Sequence, residues 1–314
     1  MESLQIFFRY YWPVYYFTST FLHLTMYLLI YKRTSKALST LRYFLYSSTT
    51  ANFVLATLGF VTQARNVNNK VSMGLLCDGF CKFIGPAFCF HCYFFLLVFG
   101  ALTGLINLHT LFYRTQRAKC LDIREAIRKT RWFTLHYMIP FSVLVVYNIP
   151  QQDHALVLME TKSEHPDYNY EIYEKFGGVA NSRNFYANYQ YILLSLTALY
   201  VPIIGGYWKT VAMKKLKSNF SNTTSDQNRR MFEALIKGLN LQVLLPCCCY
   251  IPISLLFCWN KYSGQQIIFS QYTLAFLISL PCVFDPMIQM YFIIPYRTAI
   301  SNVLARKWNV VFSH

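Results

Sequence analysis

The sequence predicts an all-α membrane protein: one domain over 1–314, built as a bundle of seven transmembrane helices, with the N-terminus extracellular and a short amphipathic helix at the C-terminus. Three observations carry this. Asp, Glu, Lys and Arg make up only 13% of the chain, about half the roughly 25% usual in soluble proteins. Seven long stretches are free of these residues, at 10–31, 43–64, 83–113, 132–152, 184–208, 238–260 and 262–296, the last broken only by Asp285. The basic residues are also partitioned, 21 of 29 falling in alternate connections. A helix needs about 20 residues to cross the hydrocarbon core, and lipid leaves no water for unpaired backbone amides, so each stretch should be helical. Transmembrane β-strands would read as ~10-residue alternating segments instead.

The first span, 10–31, ends in "YKR" and offers no A-x-A site, so it reads as a retained helix and not a cleaved signal. It carries His23. The second, 43–64, follows a loop with Lys32, Arg33, Lys36 and Arg42, and contains Asn52. The third, 83–113, runs into seven basic residues between Arg114 and Arg131. The fourth, 132–152, is the least clean, with His136, Pro140 and Asn148 inside it. The fifth, 184–208, holds Pro202 and the pair Gly205-Gly206, which permit a bend or a close helix approach. Seven more basic residues lie between Lys209 and Lys237. The sixth, 238–260, contains Pro246 and Pro252, and Pro246 supplies a weak point about which the inner half could swing. The seventh, about 264–296, places Asp285 between Pro281 and Pro286.

Lys/Arg bias in short loops sets orientation. The basic connections are therefore cytoplasmic, and the 153–183 segment, which carries six acids, is outside. The net charge of +16 is a topology device; a nucleic-acid footprint would need a soluble basic face. The sequons at Asn219 and Asn222 fall in a cytoplasmic loop and should carry no glycan. After Pro295, Ile300, Val303, Leu304 and Trp308 recur at helical spacing opposite Arg297, Arg306 and Lys307, the pattern of a helix lying on membrane lipid.

Catalytic and metal chemistry find little support. No H-x-x-x-H, G-x-S-x-G or phosphate-binding loop is present. The three cysteines 247–249 sit on adjacent helical positions, about 100° apart, and cannot converge on one ion. No cofactor is expected. The rival class is a seven-helix ligand-gated channel or small-solute transporter. Insect-type odorant-gated channels place the N-terminus inside, which the charge count opposes, and no three-helix repeat of the small-transporter kind is visible.

Three segments carry a resemblance. "LLCDGFCKFIGPAFCF" at 75–90, "LNLQVLLPCCCYIP" at 239–252 and "LPCVFDPMIQMYFIIPYRTAI" at 280–300 resemble nematode chemosensory serpentine receptors of the delta class. The Q-x-x-L-P and P-C-x-x-D-P…P-Y-R patterns are those of the wider superfamily of nematode odorant receptors. The resemblance implies a G-protein-coupled receptor in the plasma membrane of chemosensory neurons, at their sensory cilia. It would couple an external small molecule to a cytoplasmic heterotrimeric G protein.

Candidate residues follow. The ligand pocket is expected in the outer half of the third, fifth, sixth and seventh helices, where His91, Tyr93, Tyr191, Tyr250 and Tyr272 are available. Tyr113, Arg114 and Arg297 are candidates to face the G protein, although Tyr113-Arg114 has no neighbouring acid and supports no ionic lock. A plain positive-inside arginine is an equal reading of Arg114. "DPMIQ" takes the place of the N-P-x-x-Y element of the broad receptor class, with Gln289 where a tyrosine is usual. Receptors often tie the head of the third helix to a cysteine in the second outer loop, but 151–187 has none. A Cys77–Cys81 bond, a bond to Cys258, or free thiols remain.

Asp285 is the strongest functional candidate. A charge at mid-membrane costs roughly 2.5–3.5 kcal/mol on insertion scales, so it should face the bundle with a partner or be protonated. Pro286 kinks the helix beside it. At 1.5 Å per residue Asp285 lies ~15 Å from the inner boundary, Asn52 ~13.5 Å and His23 ~12 Å. Asn107 and Gln242 come out shallower. The expected polar core is Asp285 facing Asn52, with His23 and Asn107 in the same cluster, Pro286 and Pro246 as its helix kinks, and Ser48, Thr49 or Thr50 as substitutes for Asn52.

Overall fold

The structure, a computed structural model, describes all residues except 1, 35–38, 120–122, 148–152, 174–175, 220–225, 264–266 and 312–314. Its long helices are α1 (Glu2–Arg33), α2 (Ser39–Thr62), α3 (Pro86–Lys119), α7 (Phe185–Asn219), α8 (Asp226–Ser263) and α9 (Ile268–Phe292). The fourth span is a composite of α4 (Ile123–Arg131), a 3₁₀ stretch (Trp132–Tyr137) and α5 (Met138–Tyr147). By length and composition, α2, α3, α7, α8 and α9 can each cross a membrane; α1 and the composite complete the seven. Consecutive helices pack against one another and α9 closes the ring on α1 and α2, while α3 runs through the middle against α2, α5, α7 and α8.

Charge-free stretches mark where the chain is in lipid, and the helices overrun them. α3 continues six residues past Tyr113, and α8 begins twelve before Gly238. Charged side chains are good helix formers once their tips reach water. At the other extreme, α2 stops at Thr62 because Gln63 turns left-handed, φ 44°, while its N–H still reaches the Gly59 carbonyl at 2.8 Å. The seventh helix ends at Phe292, not at 296. Ile293 is extended there, and Pro295 falls in the first turn of α10 (Ile294–Val311), where its missing N–H costs nothing. The side chains of Leu304 and of 306–311 lie outside the described residues, as does Asn222.

The untidy fourth span has a local cause. Thr134 donates to the Arg131 carbonyl at 2.6 Å, and a ring nitrogen of His136 meets the Phe133 carbonyl at 3.0 Å. Side chains three apart eclipse in a 3₁₀ helix, and the Phe133 and His136 rings stack at 4.1 Å.

The all-α expectation misses a small outer structure. β1 (Ala64–Asn68), β2 (Met73–Cys77) and β3 (Gly177–Val179) form an antiparallel sheet in that order, with α6 (His154–Glu164) against it. Glu160 accepts from the Val71 and Ser72 N–H groups at 3.0 and 3.1 Å, and Glu164 from Lys70 N–H at 3.1 Å. The acids of 153–183 therefore clip the hairpin turn. Gly178 lets the strands close, since a Cβ there would run into the Met73 carbonyl. Gln5 at the start of α1 donates to Tyr173 at 3.3 Å, so N-terminus and sheet share one end of the bundle, the outer end by the charge asymmetry.

The disulfide departs from the expected candidates: Cys81 pairs with Cys89, Cα–Cα 5.1 Å, within the usual range. Cys77 is held at the end of β2 opposite Ala64. The following 3₁₀ turn (Phe80–Phe83) carries Cys81 onto the first turn of α3 instead. Cys77 and Cys258 are free thiols.

Candidate functional site

Two linked features stand in the bundle core: a buried carboxylate and, outward of it, a cavity. Asp285 is 2% exposed. Its Oδ2 accepts from Asn52 Nδ2 at 2.7 Å and from Gln289 Nε2 at 2.9 Å, and its Oδ1 accepts from Gln242 Nε2 at 2.6 Å. Asn107 Nδ2 approaches Oδ1 at 3.4 Å. Ser48 lies 3.3 Å from Oδ2, but its one hydroxyl hydrogen has a shorter acceptor in the Asn107 carbonyl at 2.9 Å. No cation pairs with Asp285 among the described residues. The carboxylate is dispersed over neutral donors from α2, α3, α8 and α9, an arrangement that satisfies a buried acid without a second charge.

Depth alone placed Asn52 opposite Asp285, and the structure brings them together. It does not bring His23. That ring bonds back to the Ser19 carbonyl at 2.7 Å and to the Ser19 hydroxyl at 3.2 Å, beside Phe53. Asn107, expected in the polar core, approaches the carboxylate, and Gln242, left out of it as too shallow, reaches it as well. A glutamine adds about three bonds of reach, and Pro246 has no N–H for the Gln242 carbonyl, which loosens the helix at that turn. Gln289, one turn along α9, occupies the tyrosine place and binds Asp285 directly, while Tyr291 is 60% exposed. The Gln of Q-x-x-L-P and the Asp of P-C-x-x-D-P thus meet in one hydrogen bond.

The cavity lies between α3, α7, α8 and α9, with roughly 780 Å³ of empty space counted out through its open mouth. Tyr191, Tyr250 and Pro246 line it, with Gly100, Gly104, Ser195, Ser254 and Cys247. The Tyr250 hydroxyl is buried with no close hydrogen-bond partner among the described residues; Thr103 of α3 approaches it, but spends its own hydrogen on the Gly100 carbonyl at 2.9 Å. The other three ligand candidates lie elsewhere. Tyr93 is buried under β1, where its hydroxyl accepts from Asn66 at 3.0 Å. Tyr272 stacks on Phe8 at 4.9 Å beneath Arg65. His91 stands beside His154 of α6. All three serve the outer sheet. The missed signal was Gly100 and Gly104, a G-x-x-x-G spacing that thins one wall of a helix.

At the inner end, Tyr113 is buried against Phe44, rings 5.2 Å apart, and Arg114 is only 6% exposed. In this conformation neither faces the cytoplasm. Arg297 does; it is exposed and rests over Tyr291 at 5.6 Å. Sγ atoms of Cys77, Cys81 and Cys89 lie within 4.8 Å of one another, but the disulfide uses two of them and leaves no set of metal donors.

Residues 8–302 match the family described as serpentine type 7TM GPCR chemoreceptor Srd. Among curated relatives, serpentine receptor class delta-63 of Caenorhabditis elegans is 47% identical over 88% of this chain and 85% of its own length. Class delta-59 and class delta-51 of the same organism are 26% and 25% identical, over 94% and 89% of this chain and 90% and 82% of theirs.

Proposed function

The chain belongs to the Srd family of serpentine chemoreceptors, and from that premise we propose that it binds an external small molecule in the α3–α7–α8–α9 cavity and activates a cytoplasmic heterotrimeric G protein. Its place is the plasma membrane of a chemosensory neuron, at the cilium.

One observation carries the reading. On three helices the cavity wall and the Asp285 cluster share a face. Gly104 lies three residues from Asn107, Pro246 four from Gln242, and Ile278 seven from Asp285. These separations are one to two helical turns. A ligand pressing on Pro246 or Tyr250 therefore acts on the helix whose Gln242 holds the carboxylate. The ligand needs only to bind better when α8 has moved; its differential affinity sets the shift.

The test is a calcium reporter in cells expressing the chain, screened with volatile and water-soluble compounds. Gly100→Leu fills the cavity beside Tyr250 and should raise the half-maximal dose at least tenfold with surface expression unchanged. A response that persists as a membrane current in cells lacking heterotrimeric G proteins would make the protein a channel and end this reading.

A further inference from the structure

We propose that the ligand is a membrane-partitioning amphiphile, an apolar chain or ring with a single hydroxyl or carbonyl group, and that it reaches the cavity sideways from the bilayer, between the outer halves of α7 and α8. This rests on the cavity being the ligand site.

The aqueous side is shut. Among the described residues, only the four helices line the cavity; nothing from 63–85 or 153–183 reaches it. Over its outer end Met73 and Leu75 of β2 join Phe90, Phe94, Leu97 and Leu274 in one buried cluster. The Tyr191 hydroxyl donates to Met73 Sδ at 3.2 Å, fastening the sheet to α7.

The lateral side is not. Lining residues on α3 and α9 are all buried, whereas Tyr191, Leu194 and Ser195 of α7 and Cys247, Tyr250 and Ser254 of α8 are partly accessible. Around them the exposed side chains are Ile192, Leu196, Leu199 and Leu255, a surface that can face only lipid. The two helices are zipped at their inner halves, where a methyl on Gly205 would overlap Val243. Farther out, Ser195 Oγ donates to Ser254 Oγ at 3.3 Å, the described side-chain bond across the gap. One neutral hydroxyl pair at that distance is a weak latch.

The lining sets the ligand's chemistry. It holds no charged residue, and its polar groups are the hydroxyls of Ser195, Ser254, Tyr250 and Tyr191, the last already donating to Met73, with the Cys247 thiol. Thr197 spends its hydroxyl on the Leu193 carbonyl at 2.8 Å. A charged ligand would lose its water with nothing in return. An amphiphile loses little, and its one polar group meets the buried Tyr250 hydroxyl, which has no close partner of its own.

The probe is octanol bearing a photoactivatable diazirine, compared with a charged, water-soluble sulfonate of the same group. In the unaltered full chain in lipid vesicles, the alcohol should give saturable adducts on Tyr250 or Cys247 at least fivefold above the sulfonate. The double variant Ser195→Cys, Ser254→Cys, oxidised to close the gap, separates the route from the site. Alcohol added before oxidation should still label the cavity; alcohol added afterwards should label it at least fivefold less, with adducts on lipid-facing Leu255 unchanged. Labelling equally strong before and after closure overturns the lateral route while the cavity remains a ligand site. Sulfonate labelling equal to the alcohol's overturns the ligand class. Absence of any saturable cavity adduct removes the cavity as ligand site, and this inference with it.

Discussion

Asp285 and Arg65 are both 2% exposed, and they are buried by different means. The acid lies deep in the helix bundle and is held by side-chain amides from four helices. The base lies in β1, under the outer sheet. Its Nε donates to Gln271 Oε1 at 2.8 Å, and its guanidinium sits over Tyr168 at 4.3 Å and Tyr272 at 5.1 Å. Arg65 gains from aromatic faces that spread over its plane, whereas Asp285 gains only from donors aimed at two oxygens. The directional set should be the more brittle. A tyrosine face tolerates small shifts of a cation, but an amide displaced by an ångström loses its bond.

The largest effect should come from removing the acceptor. Asp285→Leu strands the amides of Asn52 and Gln242 and adds bulk, at a cost of about 3–5 kcal/mol. Asp285→Asn keeps one carbonyl oxygen for them and should lose less than half as much. Thermal unfolding of the two purified variants checks the order; equal losses would mean that volume, and not acceptor geometry, governs the site.

The outer charge should matter less. Arg65→Met keeps the length and apolar stem but drops the guanidinium, for about 2 kcal/mol. The loss should stay local, seen as several-fold faster protease cleavage within 154–173 on intact cells, with the bundle's melting temperature little changed. A global loss matching Asp285→Leu would erase the distinction between lid and bundle.

The smallest effect is a pH dependence confined to the outer sheet and α6, which together form a lid on the outer end of the bundle. His154 Nδ1 accepts from the Gly178 N–H at 3.4 Å. Burial, with His91 nearby and against the pull of Asp153, holds this imidazole below its ordinary value. The unfolded lid takes up the proton at about 6.5, the folded one only lower. The stabilisation is thus complete above that pH and declines as pH falls from there toward the depressed folded value. Protection of the amides at 177–179, taken relative to intrinsic exchange at each pH, should fall between pH 7 and pH 5, and His154→Gln should flatten the response.

The same two regions show why one site could be read in advance and the other could not. Asn52 and Asp285 are 233 positions apart, yet both lie on helices that cross a layer of fixed thickness. Depth can be counted inward from the charged ends, and it pairs them. The ruler fails by about a turn where a long side chain or a proline intervenes, as with Gln242, and it says nothing about which way a side chain at the right depth points, as with His23. Arg65 and Tyr173 lie outside the layer with no such common coordinate. β1, β2, the three residues of β3 and the Cys81–Cys89 pairing all depend on how two outer loops fold onto each other.

The sequence by itself determined the membrane class, the seven crossings, their orientation and the solitary acid near mid-membrane, because charge is excluded from lipid and a helix has a fixed rise. Tertiary structure alone decided that Gln242 and Gln289 hold that acid, that Tyr93 and Tyr272 lie under the outer sheet while Tyr191 and Tyr250 line the cavity, and that the partly accessible lining residues are those of α7 and α8. These are matters of helix rotation and loop packing. A residue's depth follows from its position in the chain, but its azimuth follows only from the neighbours it meets.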